Sequence, residues 1–339
     1  MAEVVTTSAI APATTMSIPP IVVMAAKAGW RWQWQRLMGG LGPADAAGNY
    51  CRPKSDHLEA EVPNPLDLQS RPPEQRPHLL VGRSCPWAHR TWLVHQLRGL
   101  DQSLNLVTAH ADHKAGRWQL DPPWLGCNSL LALYQRCGAP PSHRATVPVL
   151  IDPNHPKILG NESAQLVEVL NRWPSHEDAP DLAPAELEDS IHRWQELLQP
   201  NVNDGVYRCG FARNQAAYNR AVTALFAALD QVEASLEQSG PWLCGEHITL
   251  ADVRLFPTLI RWEMVYAPLF GCSQRPLWQF PKLWDWRRRL YGQPGVQASC
   301  DAEAWRHDYF GALFPLNPGG IVPNGPDLTT LVTSEFSNK

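Results

Sequence analysis

The sequence lacks the patterns that mark several large protein classes. It has no apolar run of about 18 residues that could span a membrane, no Cys-x-x-Cys pair of a zinc ribbon or dithiol oxidoreductase, and no His-Glu-x-x-His motif. Only 18% of the residues are charged, against about 25% in a typical soluble domain, and the net charge is −4. A nucleic-acid-binding protein usually presents a basic face, so we expect no nucleic acid, membrane or metal partner.

The chain is instead rich in proline, with 32 residues, and in tryptophan, with 15, and it has eight widely spaced cysteines. Cysteines without paired spacing are typical of reduced thiols, which favours a cytoplasmic location. Residues 1–29 are rich in Ala, Thr, Ser and Pro and contain no arginine. Because transit peptides are rich in arginine, a disordered leader is favoured, and import into a plastid stays an alternative.

Two parts with different hydrophobic patterns indicate two domains. The first part has the order βαβ followed by ββα, which is compatible with a right-handed parallel crossover. We expect residues 30–77 to be irregular, residues 109–143 to be a long insert, and Asn161 to cap the last helix of this part. The predicted strands are 78–81, 104–107, 146–151 and 158–159, and the first predicted helix is 86–100.

The second part has helical periodicity almost to residue 293. Thr249 and Asp252 have the spacing of a capping box, so a helix is expected to begin there. The other predicted helices are 186–198, 215–238 and 282–291, and the chain from residue 317 is expected to be extended. The expected organisation is a flexible leader at 1–45, an α/β domain at 46–173, a linker at 174–184, a helical domain with an extended tail at 185–326, and a flexible C-terminus at 327–339.

Cys85 is the strongest candidate for chemistry, because it stands where a strand ends and a helix begins. Pro86 suits the first position of a helix and pushes Cys85 to an extended conformation. At a helix N-terminus, unpaired N–H groups and the dipole lower a thiol pKa from about 8.5. We therefore expect a reactive thiolate, and the alternative interpretation is a buried cysteine that only caps the helix.

The neighbours of Cys85 restrict this chemistry further. Arg83, His89 and Arg90 can add positive potential, and His89 could act as a base, although a packed side chain is favoured. Ala88 occupies the place of the second cysteine in a Cys-x-x-Cys pair. No thiol at that position can resolve a mixed disulfide, so disulfide chemistry would need an external thiol.

Six segments together carry a family resemblance: SCPWAHR at 84–90, GNES at 160–163, DGVY at 204–207, TLAD at 249–252, LIRW at 259–262 and LNPGGIVP at 316–323. Over roughly residues 46–326 the sequence resembles the Xi class of glutathione transferases, the glutathionyl-hydroquinone reductases. Asp308 and Phe310 stand where that family has His and Tyr, and Trp262 replaces Phe. The resemblance implies an α/β plus all-α homodimer, with an N-terminal thioredoxin-like domain followed by an all-helical glutathione transferase C-terminal domain.

The resemblance also implies a glutathione site between the two domains. Pro148 would be the cis proline of the fold, and Val147 would offer backbone groups to the cysteinyl part of glutathione. Ser163, at a helix N-terminus, would take the γ-glutamyl carboxylate, and Glu162 would pair with the γ-glutamyl amine. The candidates for the glycyl carboxylate are Trp118 and Arg144, which could instead be a loop anchor and a surface residue.

Tyr207 and Tyr309 match the tyrosines with which the family binds its aromatic substrate, and Tyr266 is a weaker candidate for which packing in the core is favoured. The implied reaction is removal of glutathione from an S-glutathionyl-hydroquinone by Cys85, with a tyrosine as proton donor and glutathione as co-substrate. Two alternatives stay open. One is an omega-like thioltransferase or dehydroascorbate reductase that uses the same cysteine, and the other is a non-catalytic scaffold with a glutathione transferase fold.

Overall fold

The computed structural model describes residues 18–53, 56, 64–113 and 116–333. A six-stranded sheet with its helices comes first along the chain, and the remainder is helical. This arrangement confirms the predicted α/β plus all-α fold. Within the described ranges, no helix is both long enough and apolar enough to cross a membrane.

A mixed sheet forms the core of the N-terminal domain. Its strands are β1 (His78–Gly82), β2 (Asn105–Asp112), β3 (Arg117–Trp124), β4 (Cys127–Ser129), β5 (Val149–Asp152) and β6 (Lys157–Gly160). They lie in the order β4–β3–β2–β1–β5–β6, in which β1 and β2 are parallel and the other neighbours are antiparallel. Leu79, Leu80 and Val81 are all fully buried, which places β1 at the centre of the core.

The α-helices are α1 (Pro20–Leu41), α2 (Pro65–Gln69), α3 (Pro86–Leu97), α4 (Leu130–Arg136), α5 (Ser163–Asn171), α6 (Glu188–Leu198), α7 (Gly205–Gly210), α8 (Gln215–Ser239), α9 (Leu250–Ile260), α10 (Ala267–Phe270), α11 (Pro281–Tyr291), α12 (Ala302–Ala312) and α13 (Leu328–Thr333). The predicted capping box opens α9, where Asp252 Oδ2 accepts from Thr249 N at 2.9 Å. The predicted cap of α5 is wrong. Glu162 caps that helix by accepting from Ala164 N at 3.2 Å, whereas Asn161 Nδ2 donates to Asp56 O at 3.1 Å.

The segment expected to be a long insert is part of the sheet. Strand β2 continues to Asp112, and β3, β4 and α4 follow it. Pro122 and Pro123 obscured β3 in the sequence because proline cannot donate to a strand ladder. They fall where the pairing of β3 with β4 is irregular, between Gln119 and Trp124, and a strand tolerates proline at such a place.

Helix α1 lies where the sequence predicted a flexible leader (1–45) and irregular chain (30–77). The last turns of α1 pack on the helical domain. Met38 is fully buried, and Trp34 Nε1 donates to Pro315 O at 3.1 Å. The periodicity of this helix was hidden because its first turns are exposed on all sides. The prediction for residues 1–17 lies outside the described residues.

The tail also differs from the expectation of extended and then flexible chain. Helix α13 lies after the extended segment, and its Leu328 and Val332 side chains are buried. Arg288 Nε, on α11, donates to Val332 O at 3.0 Å. Contacts with α11 therefore stabilise α13, which at six residues is too short for its hydrophobic periodicity to be recognised in the sequence. The prediction for residues 334–339 lies outside the described residues.

Candidate active site

A cavity of about 730 Å³ lies between the two domains at the N-terminus of α3. Eight of the predicted site residues line it, and the other two, Tyr266 and Tyr309, contact it through Tyr207. A larger groove of about 1660 Å³ between α5 and α6 contains none of them. The eight lining residues are Cys85, Trp118, Arg144, Val147, Pro148, Glu162, Ser163 and Tyr207.

Cys85 is the N-cap of α3, and its Sγ donates to Val147 O at 3.7 Å. The prediction of a lowered thiol pKa is wrong for this structure. Burial raises the pKa of Cys85, and the backbone N–H groups of Ala88 and Trp87 and the charges of Arg261 and Arg52 only partly counter it. The position of the thiol at the start of the helix was readable from the sequence, but its half-buried setting was not.

The three neighbours expected to add positive potential have other partners. Arg83 pairs with Asp301 at 3.1 Å. Arg90 Nη2 donates to Gln199 Oε1 at 3.1 Å, and burial lowers the pKa of Arg90 to about 9. His89 is fully enclosed, and burial together with the charge of Arg261 holds its pKa well below the usual range. Of the two roles considered for His89, a base or a packed side chain, the structure supports the packed side chain, and its ring stays neutral.

The predicted glutathione residues form one wall of the cavity. The Val147–Pro148 peptide bond is cis, and Ser163 Oγ donates to Glu162 Oε1 at 3.3 Å, at the N-terminus of α5. Trp118 reaches the cavity from β3 across Gly82, where a Cβ would lie 2.6 Å from the Trp118 ring. A glycine is needed there because any side chain would displace the indole.

Three tyrosines from separate elements of the helical domain meet at the cavity through Tyr207. Tyr207 Oη, on α7, lies 2.6 Å from Tyr309 Oη, on α12, and Tyr266 Oη lies 3.3 Å from the same Tyr309 oxygen. Burial raises the pKa of Tyr207 and Tyr309 well above the usual value and raises that of Tyr266 as well. All three hydroxyls are thus protonated at neutral pH, which is the state of a proton donor.

The tyrosine group is connected to α3 by Trp87, whose ring stacks on Tyr207 with centroids 6.2 Å apart. The guanidinium groups of Arg52 and Arg90 contact the Trp87 ring at 3.8 and 4.6 Å. Arg52 also pairs with Asp204 at 2.6 Å. Residues from the segment before the sheet therefore reach the cavity that holds Cys85.

One face of α12 holds the loop that carries Cys85. Asp301 pairs with Arg83, and Trp305 Nε1 donates to the Arg83 carbonyl at 3.2 Å. Asp308, where the resembled family has His, lies 3.2 Å from His113 Nε2, at the end of β2. The spacing 301, 305, 308 places all three side chains on one side of the helix, so α12 contacts both the cysteine loop and the sheet.

Several cavity residues were missed by the sequence analysis. They come from regions predicted to be irregular, where no periodic signal or motif drew attention to them. Only the position of Arg52 directly before Pro53 pointed to extended chain. The missed lining residues include Leu41, Tyr50, Arg52, His113 and Arg117.

Comparison with known proteins identifies the family. Models of the glutathione S-transferase N-terminal and C-terminal domains match residues 84–173 and 215–289. The chain is 33% identical over 306 residues to glutathionyl-hydroquinone reductase PcpF of Sphingobium chlorophenolicum, covering 88% of this chain and 94% of the relative. The chain belongs to the Xi class of glutathione transferases, the glutathionyl-hydroquinone reductase family.

Solved structures agree with this assignment. The glutathione transferase Xi of Phanerochaete chrysosporium has 32% identity and a TM-score of 0.75, covering 84% of this chain and 94% of that chain. The glutathione-bound structure of YqjG from Escherichia coli K-12 has 32% identity and a TM-score of 0.69, covering 74% and 86%. Among the described residues of our Xi-class protein, no group of three or more His, Cys, Asp or Glu side chains is placed to hold a metal ion.

Proposed function

We propose that the protein removes glutathione from S-glutathionyl-hydroquinones, yielding a hydroquinone and oxidised glutathione. The single observation that carries this proposal is the placement of Cys85 and Tyr207 on the same cavity, with Tyr207 joined to Tyr309 by a 2.6 Å hydrogen bond. A thiol supplies the nucleophile, and a protonated phenol supplies the proton that a carbon leaving group needs.

The reaction balances with glutathione as the co-substrate. The Cys85 thiolate forms a disulfide with the glutathione sulfur of the conjugate while the bond from that sulfur to the ring carbon breaks. The electron pair passes to the ring carbon, which takes a proton from Tyr207 or Tyr309. A second glutathione thiolate then attacks the mixed disulfide, which releases oxidised glutathione and restores the Cys85 thiolate.

The wall formed by Val147, Glu162 and Ser163 suits the tripeptide. The N-terminus of α5 favours a carboxylate, and the Glu162 carboxylate can accept from an ammonium group. Arg144 and Trp118, which line the same cavity, supply a cation and an indole N–H for the second carboxylate. These roles agree with those implied by the family resemblance.

An omega-like thioltransferase is the second candidate, because it would use the same Cys85 and the same glutathione wall. The tyrosine group favours the reductase, since a small disulfide has a thiolate leaving group that needs no proton donor. A non-catalytic scaffold would have no use for a cysteine and a tyrosine on one cavity, with two further tyrosine hydroxyls joined to that tyrosine. We further propose a cytoplasmic homodimer, with plastid import as the alternative for its location.

Turnover of a glutathionyl-hydroquinone panel tests the proposal. The purified protein is given each conjugate with glutathione, and the products are identified by mass. We expect free hydroquinone and oxidised glutathione in equal amounts, and we expect Cys85→Ser to abolish both while glutathione still binds. Reduction of hydroxyethyl disulfide without any release of hydroquinone would select the thioltransferase instead.

A further inference from the structure

Arg261 is a fully buried cation at the C-terminal end of α9, facing α3. Across the described parts of the chain, no carboxylate lies within 4.0 Å of its guanidinium, and its Nε and Nη2 atoms have no hydrogen-bond partner. The buried Arg254 and Arg287 are paired, each at 2.6 Å, with Glu168 and Glu263. Burying an unpaired charge is strongly unfavourable, so this position requires a separate explanation.

The neighbours of Arg261 hold its position without neutralising it. Its Nη1 donates to His89 Nδ1 at 2.8 Å and to Pro257 O at 2.9 Å, and its guanidinium stacks 4.1 Å from the Trp305 ring. Since His89 Nδ1 accepts this bond, its Nε2 is the donor to Ser299 Oγ at 2.8 Å. All of these partners are neutral, so none of them compensates the charge of the guanidinium.

The same contacts link the charge to the first turn of the helix that begins after Cys85. His89 N donates to Cys85 O at 3.0 Å, in the first turn of α3, so Arg261 is bonded to the residue one turn from the nucleophile. Its charge lowers the pKa of Cys85, Tyr266 and Tyr309 against the effect of burial. Arg52 also acts on Cys85, but it is paired with Asp204.

We propose that Arg261 is the fixed counter-charge for the single negative charge that moves between Cys85 and the tyrosines during the reaction. This inference rests on the proposed function. The cycle begins once the Cys85 thiol has lost its proton to solvent, so that the charge is on its sulfur. When the ring carbon takes a proton from Tyr309 or Tyr207, the charge is on the tyrosine oxygen. The thiol proton of the second glutathione then passes to that oxygen, and disulfide exchange returns the charge to Cys85.

Arg261 thus acts as a positioning and electrostatic residue. One immobile cation can stabilise the charge both on the Cys85 sulfur and on the tyrosine oxygen, because the total charge of the site stays constant. Preorganised charge of this kind costs no reorganisation at the moment of reaction. An ion pair with a carboxylate would remove the effect, which accounts for the neutral partners around this guanidinium.

The test is the pH profile of Cys85 alkylation, which needs no glutathionyl substrate. The rate of iodoacetamide modification at Cys85 is followed by peptide mass spectrometry. We expect Arg261→Met to move the midpoint of this profile upward by about one pH unit, which lowers the rate at pH 7 about tenfold. Arg261→Lys keeps the charge and should leave the midpoint near that of the wild type.

Arg287→Met is the matched control, because Arg287 is equally buried and stacks on Trp284 at the same 4.1 Å. It should leave the Cys85 midpoint in place even where it lowers the melting temperature. If Arg261→Met does not fold, Arg261→Gln retains an N–H donor and replaces it in the comparison with Arg261→Lys. Equal midpoints for the charged and uncharged variants would overturn the proposal.

A second readout separates this inference from the proposed function. In Arg261→Met, release of hydroquinone should fall further than reduction of hydroxyethyl disulfide, because only the first reaction places charge on a tyrosine. A shifted alkylation midpoint with no hydroquinone release even in the wild type would reject the proposed function and keep the effect of Arg261 on Cys85. An unshifted midpoint with normal release would reject Arg261 alone.

Discussion

At the scale of single residues, the tyrosine hydroxyls distinguish the reductase from a thioltransferase. Tyr207→Phe and Tyr309→Phe each remove one partner of the 2.6 Å hydrogen bond. Loss of a general acid typically lowers a rate by about 10²–10⁴-fold. We expect a loss of this size in hydroquinone release and little change in the reduction of hydroxyethyl disulfide.

Tyr218→Phe is the matched control for this experiment. Tyr218 Oη donates to Gly271 O at 2.7 Å, and the side chain does not line the cavity. Both activities should survive its loss. Parallel losses of both activities in the Tyr207 and Tyr309 variants, together with a lower melting temperature, would show that these side chains only pack the fold.

Two polar side chains at the start of α5, those of Glu162 and Ser163, should affect binding more than chemistry. Ser163→Ala and Glu162→Gln remove groups that would contact glutathione alike in the ground state and the transition state. Such contacts change KM with little effect on kcat. We therefore expect a raised KM for glutathione in both variants, measured by steady-state kinetics. Equal losses in kcat and kcat/KM would contradict the assignment.

At the scale of elements, α12 contacts the loop that carries Cys85 through Asp301 and Trp305. It contacts the end of the sheet through the pair of Asp308 and His113. A double-mutant cycle with Asp308→Asn and His113→Gln measures their coupling. The pair is partly exposed, so we expect a modest coupling of about 0.5–1 kcal/mol in kcat/KM. The exposed pair Arg275 and Asp230 provides a control cycle without kinetic effect. Additive effects of the first two substitutions would mean that this contact does not position the site.

The elements that the sequence predicted well are those with their own local signals. The start of α3 follows from Pro86, the start of α9 follows from the capping box at Thr249, and α8 follows from a long apolar stripe. Helix α1 and strand β3 lack such signals, because tertiary packing on one side stabilises the first and prolines interrupt the second. Helix starts set by neighbouring residues could be predicted from the sequence, whereas elements held by contacts with distant segments could not.

At the scale of the whole molecule, the site is assembled from segments far apart in the chain. The segment SCPWAHR identified the nucleophile, but Arg52, His113 and Arg261 act on it or beside it from positions that depend on the tertiary fold. The half-buried setting of Cys85 is a property of the same assembly, since its Sγ contacts the carbonyl of Val147, 62 residues further along the chain. This explains why its predicted pKa shift had the wrong sign.

The docking of α1 extends this assembly to the N-terminal segment. Met38 anchors the last turns of α1, and Leu41 and Tyr50, which follow it, line the cavity.

Replacing a buried Met by Ala typically costs about 2–5 kcal/mol. We expect Met38→Ala to loosen α1, to expose the chain after Arg36 to trypsin and to raise the KM for glutathione severalfold. Met24→Ala, at a position 64% exposed on the same helix, should change neither the cleavage rate nor the kinetics. If Met38→Ala leaves trypsin cleavage and KM as in the wild type, α1 has no part in closing the site, and Leu41 and Tyr50 are held there by the rest of the fold.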